Sequence, residues 1–148
     1  MAYGLFNLDE HNANNSGLRA SVAKNSLVVK MGAPLKAVAT GVDLAGAGDT
    51  ILGISVENKT FDSDNFTVAK EKVSFNPEPN LNNTYRLPIS GGTVTLADEG
   101  VSFYDIVVSA DDVNGFAVNG ASESSSSGQL LLVKYISATE GIFRVVNA

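Results

Sequence analysis

Apolar and polar residues alternate along this chain in short, strand-length runs. Residues 26–31 (SLVVKM), 34–40 (PLKAVAT), 84–89 (TYRLPI), 93–97 (TVTLA), 103–109 (FYDIVVS), 130–136 (LLLVKYI) and 141–147 (GIFRVVN) are rich in β-branched and aromatic residues. In 50–57 (TILGISVE), Ile51, Gly53 and Ser55 alternate with Leu52, Ile54 and Val56, the period-two pattern of a half-buried strand. Residues 65–75 (NFTVAKEKVSF) switch parity midway, which predicts two strands or one strand with a bulge. No stretch carries a helical stripe of ten residues; the best helix candidate is the short 17–25 (GLRASVAKN).

Punctuation between the runs is equally regular. Residues 76–83 (NPEPNLNN) form a loop by composition, and 119–129 (NGASESSSSGQ) a low-complexity, flexible loop tip. Asn114-Gly115 closes a turn over 110–115, and residues 137–140 make a four-residue hairpin connection. The expectation is a mainly β protein of about nine to eleven short strands, in a compact sandwich or partly open barrel.

The first 20 residues stand apart. Tyr3, Leu5, Phe6 and Leu8 fit neither helix nor strand spacing, and a polar DEHNANNSG stretch follows them. We read 1–20 as an extended arm and 21–148 as a single β domain. The arm either docks on another chain or folds over its own core, and the sequence leaves both open.

Composition narrows the function. The chain has 148 residues, net charge −6 and no cysteine. Disulfides, thiolate metal sites and Cys nucleophiles are therefore excluded. An acidic surface repels nucleic-acid phosphates, so no nucleic-acid partner is expected. No apolar run approaches the ~20 residues that cross a bilayer, and the start lacks a secretory pattern, so no membrane partner and cytoplasmic synthesis are the expectations.

The most motif-like stretch is 46–55, GAGDTILGIS. A dinucleotide loop needs Gly-x-Gly-x-x-Gly opening a helix; here the third glycine comes two places late and a strand follows. A Walker-type loop needs lysine after the second glycine of Gly48 and Gly53, and Ile54 stands there. The stretch reads instead as a turn at Ala47-Gly48-Asp49 launching a core strand, with Gly53 allowing a close backbone approach.

His11 is the lone histidine and lies in the polar arm, a poor scaffold for a triad. The pairs Asp62/Asp64, Asp98/Glu99 and Asp111/Asp112 lack calcium-loop spacing and read as solvated turns. With no tryptophan and 7% aromatics, a sugar-stacking platform is poorly supplied. No catalytic residue, cofactor or metal is expected, and the chain reads as a binding or structural protein rather than an enzyme.

Residues 31–60 (MGAPLKAVATGVDLAGAGDTILGISVENKT) resemble the head-decoration, or cement, proteins of tailed bacteriophages, the group around the phage lambda decoration protein. The matching positions are Gly32-Ala33-Pro34-Leu35-Lys36, Gly41-Val42, Ala47-Gly48-Asp49 and Ile51-Leu52-Gly53-Ile54-Ser55, with Pro34, Leu35, Gly48, Asp49, Leu52, Gly53 and Ile54 carrying the pattern. The resemblance implies a β-tulip-like fold with little helix. It implies a virion protein on the capsid exterior, bound to the major capsid protein as a homotrimer and stabilising the head across subunit joints. It also implies that Tyr3, Leu5, Phe6 and Leu8 form a capsid-binding arm by strand addition. Residues 76–128 depart from the shorter family members. Two other readings stay open: another virion part, such as a head-fibre base, minor capsid or tail component, and a β-sandwich module for carbohydrate or cell surfaces.

Overall fold

The computed structural model describes residues 4, 6–10, 18–39, 41–77, 83–109 and 115–146. The molecule is mainly β, with 49% strand and 9% helix. The first strands are β1 (Asn7–Glu10), β2 (Arg19–Val22), β3 (Val28–Val29), β4 (Pro34–Val38) and β5 (Gly41–Leu44). Next come β6 (Gly53–Ser55), β7 (Lys59–Thr60), β8 (Lys72–Pro77) and β9 (Thr84–Ser90). The chain then forms β10 (Phe103–Tyr104), β11 (Ile106–Val108), β12 (Phe116–Asn119), β13 (Leu130–Ser137) and β14 (Glu140–Val145).

The strands sort into two curled sheets, one from each half of the chain. The first has the order β2-β8-β6-β4-β5. It curls until its outer strands touch: Ala23, just past β2, bridges Val42 of β5, and the Lys24 N–H donates to the Val42 carbonyl at 2.9 Å. Glycine at position 41 permits this closure, because a Cβ there would lie 1.9 Å from the Val22 carbonyl oxygen. The second sheet runs β10-β13-β14-β9-β12-β11 and is nearly closed. Residues 103–108 are one run interrupted at Asp105; its first part pairs with β13 and its last part with β12. A small third ribbon joins β3 to β7.

β9 and β12 run parallel at Ile89 and Ser90 but not at the start of β9. The N-terminal segment lies on both strands there. Gly4 exchanges both backbone hydrogen bonds with Phe116, and β1 pairs antiparallel with β9, Leu8 opposite Tyr85. Between these anchors Phe6 is buried, its ring edge-on to Tyr85 at 5.3 Å. Its N–H donates to the Gly32 carbonyl of the first half at 2.9 Å. The segment thus fastens both halves, and a single apolar cluster runs from Leu35, Val42 and Phe75 to Tyr104, Phe116 and Phe143.

Several local expectations change. The 17–25 helix candidate contains β2, which pairs with β8; the proposed boundary at 20 falls within that strand. Residues 65–69 form one π-helical turn rather than a strand. The cause is Asn65, fully buried: its Nδ2 donates to the Ala23 and Glu71 carbonyls at 2.7 and 3.0 Å, and its Oδ1 accepts from the Glu71 N–H. Residues 93–97 are not a strand. Asp98 accepts from the Thr95 N–H at 2.8 Å and folds 96–98 into a 3₁₀ turn. β5 and β12 were not anticipated by the strand reading; each is four residues long, too short for a clear period. The last hairpin is tighter than expected, with Ser137 directly opposite Glu140. β6 is buried at all three residues rather than on one face. Both of its flanks are also taken, by β4 and β8.

Candidate functional site

The GAGD turn lies between the two halves. Gly48 sits at φ +78°, a conformation glycine adopts without steric cost. The Gly46 N–H donates to Asp49 Oδ2 at 2.8 Å, and the Asp49 N–H donates back to the Gly46 carbonyl. Lys36 Nζ lies 3.1 Å from the same carboxylate. The Gly46 amide hydrogen bond, followed by Lys36, holds the Asp49 carboxyl below its ordinary value, so it carries charge at neutral pH. A phosphate cradle needs free amides and positive potential. Here the Gly46 amide is occupied and an anion already fills the turn.

Gln129 decides what the turn does. This buried side chain donates from Nε2 to the Gly46 and Asp49 carbonyls, at 2.8 and 2.6 Å. Its Oε1 accepts from the Ile106 N–H at 2.9 Å. All three contacts are satisfied by one amide orientation, which makes Gln129 a clamp from the second sheet onto the turn of the first. In the sequence it stands only as the end of a serine-rich loop. Its partners are 80 and 83 residues away, so no local pattern marks it.

The residues of the family-like pattern are structural. Pro34 and Leu35 are buried at the start of β4, and the Leu52 N–H donates to the Leu35 carbonyl at 2.7 Å. Gly53 makes the close approach expected of it: a Cβ would stand 2.4 Å from the Phe75 ring. Ile54 is buried opposite Pro34 and Asn76. Of the arm residues, Tyr3 and Leu5 lie outside the described residues, Leu8 lies in β1, and Phe6 fills this chain's own core. His11, Asp111 and Asp112 also lie outside the described residues.

The 119–129 loop is pinned rather than loose. Phe103 and Ser124 exchange two backbone hydrogen bonds, and the Asp105 N–H donates to Ser122 Oγ at 2.8 Å. This lays Glu123 beside Ser102, whose Oγ is 3.1 Å from Glu123 Oε1 and 3.1 Å from Asp98 Oδ1. Nearby, Leu96 and Val101 are exposed on the turn that contains Asp98. On the outer face of β9, β13 and β14 a shallow groove of 380 Å³ is lined by Arg86, Lys134, Tyr135, Ile136 and Ile142. Arg86 is paired there with Glu140 at 2.7 Å.

Among the described residues no three of His, Cys, Asp and Glu converge, and no helix is long and apolar enough to cross a membrane. No protein-family model matches the chain, and a search of curated proteins finds no similar sequence.

Proposed function

We propose that this chain is a structural virion protein of the head-decoration type, binding the outer surface of a phage capsid and stabilising the shell across subunit joints. The observation that carries the reading is the 31–60 pattern, which resembles that family in four short pieces, Gly32-Ala33-Pro34-Leu35-Lys36, Gly41-Val42, Ala47-Gly48-Asp49 and Ile51-Leu52-Gly53-Ile54-Ser55. Two features support it. The molecule is a small β body with little helix. It also presents exposed apolar side chains, Leu96 and Val101, on one turn, which suits many modest contacts repeated over a lattice. On this reading the partner is the major capsid protein and the working unit is a homotrimer.

Phe6 packs in this chain's core, so the arm's contribution to capsid contact falls to Tyr3, Leu5 and Leu8. The test is co-sedimentation of purified protein with expanded and unexpanded phage heads. Saturable binding to expanded heads, at a fixed ratio to the capsid subunit, is the expected result. Tyr3→Ala/Leu5→Ala should weaken it, with circular dichroism used to check that the β fold is kept. Absence of saturable binding to expanded heads would overturn the proposal.

A further inference from the structure

After Lys72 the chain carries eight Asp and Glu residues and only three cations, Arg86, Lys134 and Arg144. The fold brings all three to one outer face. Arg86 of β9 and Lys134 of β13 both stand directly opposite Ile142, one on each side of β14. Arg144 follows Ile142 by two residues on the same strand, so it shares that face. Like charges grouped on one face repel, so the placement does not serve the fold. Glu140 pairs with Arg86 at 2.7 Å, but among the described residues Lys134 and Arg144 have no ion-pair partner. The buried Nε of Arg144 has no hydrogen-bond partner either.

Ile142 makes this face more than a charged patch. It is buried, yet it stands apart from the apolar cluster of the interior. It lines the 380 Å³ groove together with Tyr135, Ile136 and the exposed Arg86 and Lys134. Such a groove suits an apolar side chain flanked by carboxylates.

The molecule itself presents that chemistry. The turn at 96–101 leaves Leu96 and Val101 exposed, at 68% and 58%. Three carboxylates accompany them. Asp98 and Glu99 are on the turn, and Glu123 is drawn alongside through Ser102 Oγ, which is 3.1 Å from both Asp98 and Glu123. The chain's own turn does not fill its own groove. Glu99 accepts from the Tyr135 N–H at 2.8 Å, while Leu96 and Val101 stay exposed.

We propose that the groove over Ile142 is the acceptor half of a head-to-tail joint between copies of this chain, and that the 96–101 turn of a second copy is its occupant. Leu96 and Val101 cover Tyr135, Ile136 and Ile142, and the carboxylates beside them meet Lys134 and Arg144. The two halves are different surfaces, so each copy gives one and takes one, and a joint of this kind can close into a ring. The inference deepens the homotrimer of the proposed function by naming its joint; it rests on that reading only for the number of copies.

The experiment is sedimentation velocity of the full chain, without phage heads, over a concentration series at low and high salt. The wild type should pass from monomer to closed trimer as concentration rises, and association should weaken as salt screens the charges. Lys134→Glu and Leu96→Asp each change an exposed side chain, so the fold should be kept, which circular dichroism checks. Each should weaken association by about tenfold or more. Lys134→Glu keeps a sound turn and Leu96→Asp a sound groove, so an equimolar mixture should form a mixed dimer and stop there. A wild type that stays monomeric throughout, a variant that associates as the wild type does, or a mixture without the dimer would overturn the joint. Head binding is measured separately: saturable binding by a monomeric wild type overturns only the joint, and association without head binding overturns only the capsid reading.

Discussion

The two halves of this molecule close their sheets by different means. The first, β2 to β8, uses strands of two to six residues and closes at one bridge, Ala23 to Val42, over Gly41. The second rests on the β13–β14 hairpin, with strands of eight and six residues, and on the seven-residue β9 beside it. A long ladder distributes its hydrogen bonds, so no single backbone contact decides it. A closure made at one point depends on that point. Equal burial does not imply equal fragility: Leu35 and Phe143 are both fully buried, yet the sheets around them are expected to open at different places.

The largest expected effect breaks the stronger half. Phe143 is buried against Tyr104, edge-on at 6.0 Å. Phe143→Ala should cost about 3–5 kcal/mol in urea unfolding, from lost burial plus the cavity left behind. Loss of less than about 1 kcal/mol would mean that the second sheet is not the anchor of the fold.

Next comes the joint. Gln129→Leu keeps the volume but leaves the Asp49 carbonyl and the Ile106 N–H without their partner and takes one of two donors from the Gly46 carbonyl. The expected loss is about 2–4 kcal/mol. The halves should also uncouple, so that fluorescence and circular dichroism no longer report one shared unfolding midpoint. Coincident midpoints in this variant would show that the apolar cluster and the N-terminal segment couple the halves without the clamp.

Gly41→Ala sharpens the comparison from the other side. The added methyl meets backbone, which cannot swing away as a side chain would. A cost of about 1–3 kcal/mol is expected. Hydrogen exchange should accelerate in β2 and β5 and stay slow in β13 and β14. Equal acceleration in both halves would erase the distinction.

The smallest effect is electrostatic. Asp49, Asp98 and Glu140 all have carboxyls held below their ordinary values, by the Gly46 amide, the Thr95 amide and the Arg86 guanidinium respectively. A lowered folded-state pKa gives stability that is present above the unfolded value and is lost as pH falls through the folded one. Stability should therefore decline below about pH 4. Because these groups are partly exposed, each contributes less than about 1 kcal/mol. Asp49→Asn should flatten the acid limb slightly; an acid limb that is steeper in this variant would contradict the sign.

Much of the strand content was legible because β-branched and aromatic residues gather in short runs that fit a pleated surface. That held for β4, β9, β13 and β14. It failed where one polar side chain overrode the composition: Asn65 forced a π-helical turn into a strand-like run, and Asp98 capped a 3₁₀ turn where TVTLA reads as β. Both decisions rest on hydrogen bonds, which hydropathy does not record. The serine-rich loop failed for a related reason. Its composition says flexible, while its hydroxyls and backbone bond to β10 and Asp105.

By itself the sequence determined the β class, the absence of thiol chemistry, the acidic surface, the GAGD turn and the need for glycine at position 53. These are local properties of residue type and spacing. Tertiary structure alone decided that the strands form two curled sheets, that Phe6 belongs to the chain's own core, and that Gln129 clamps a turn 80 residues away. The same holds for Asp98 and Glu123 meeting at the Ser102 hydroxyl. The physical reason is common to all of these. Each depends on which distant groups satisfy one another's hydrogen bonds or fill one another's space, and such pairings leave no local period to read.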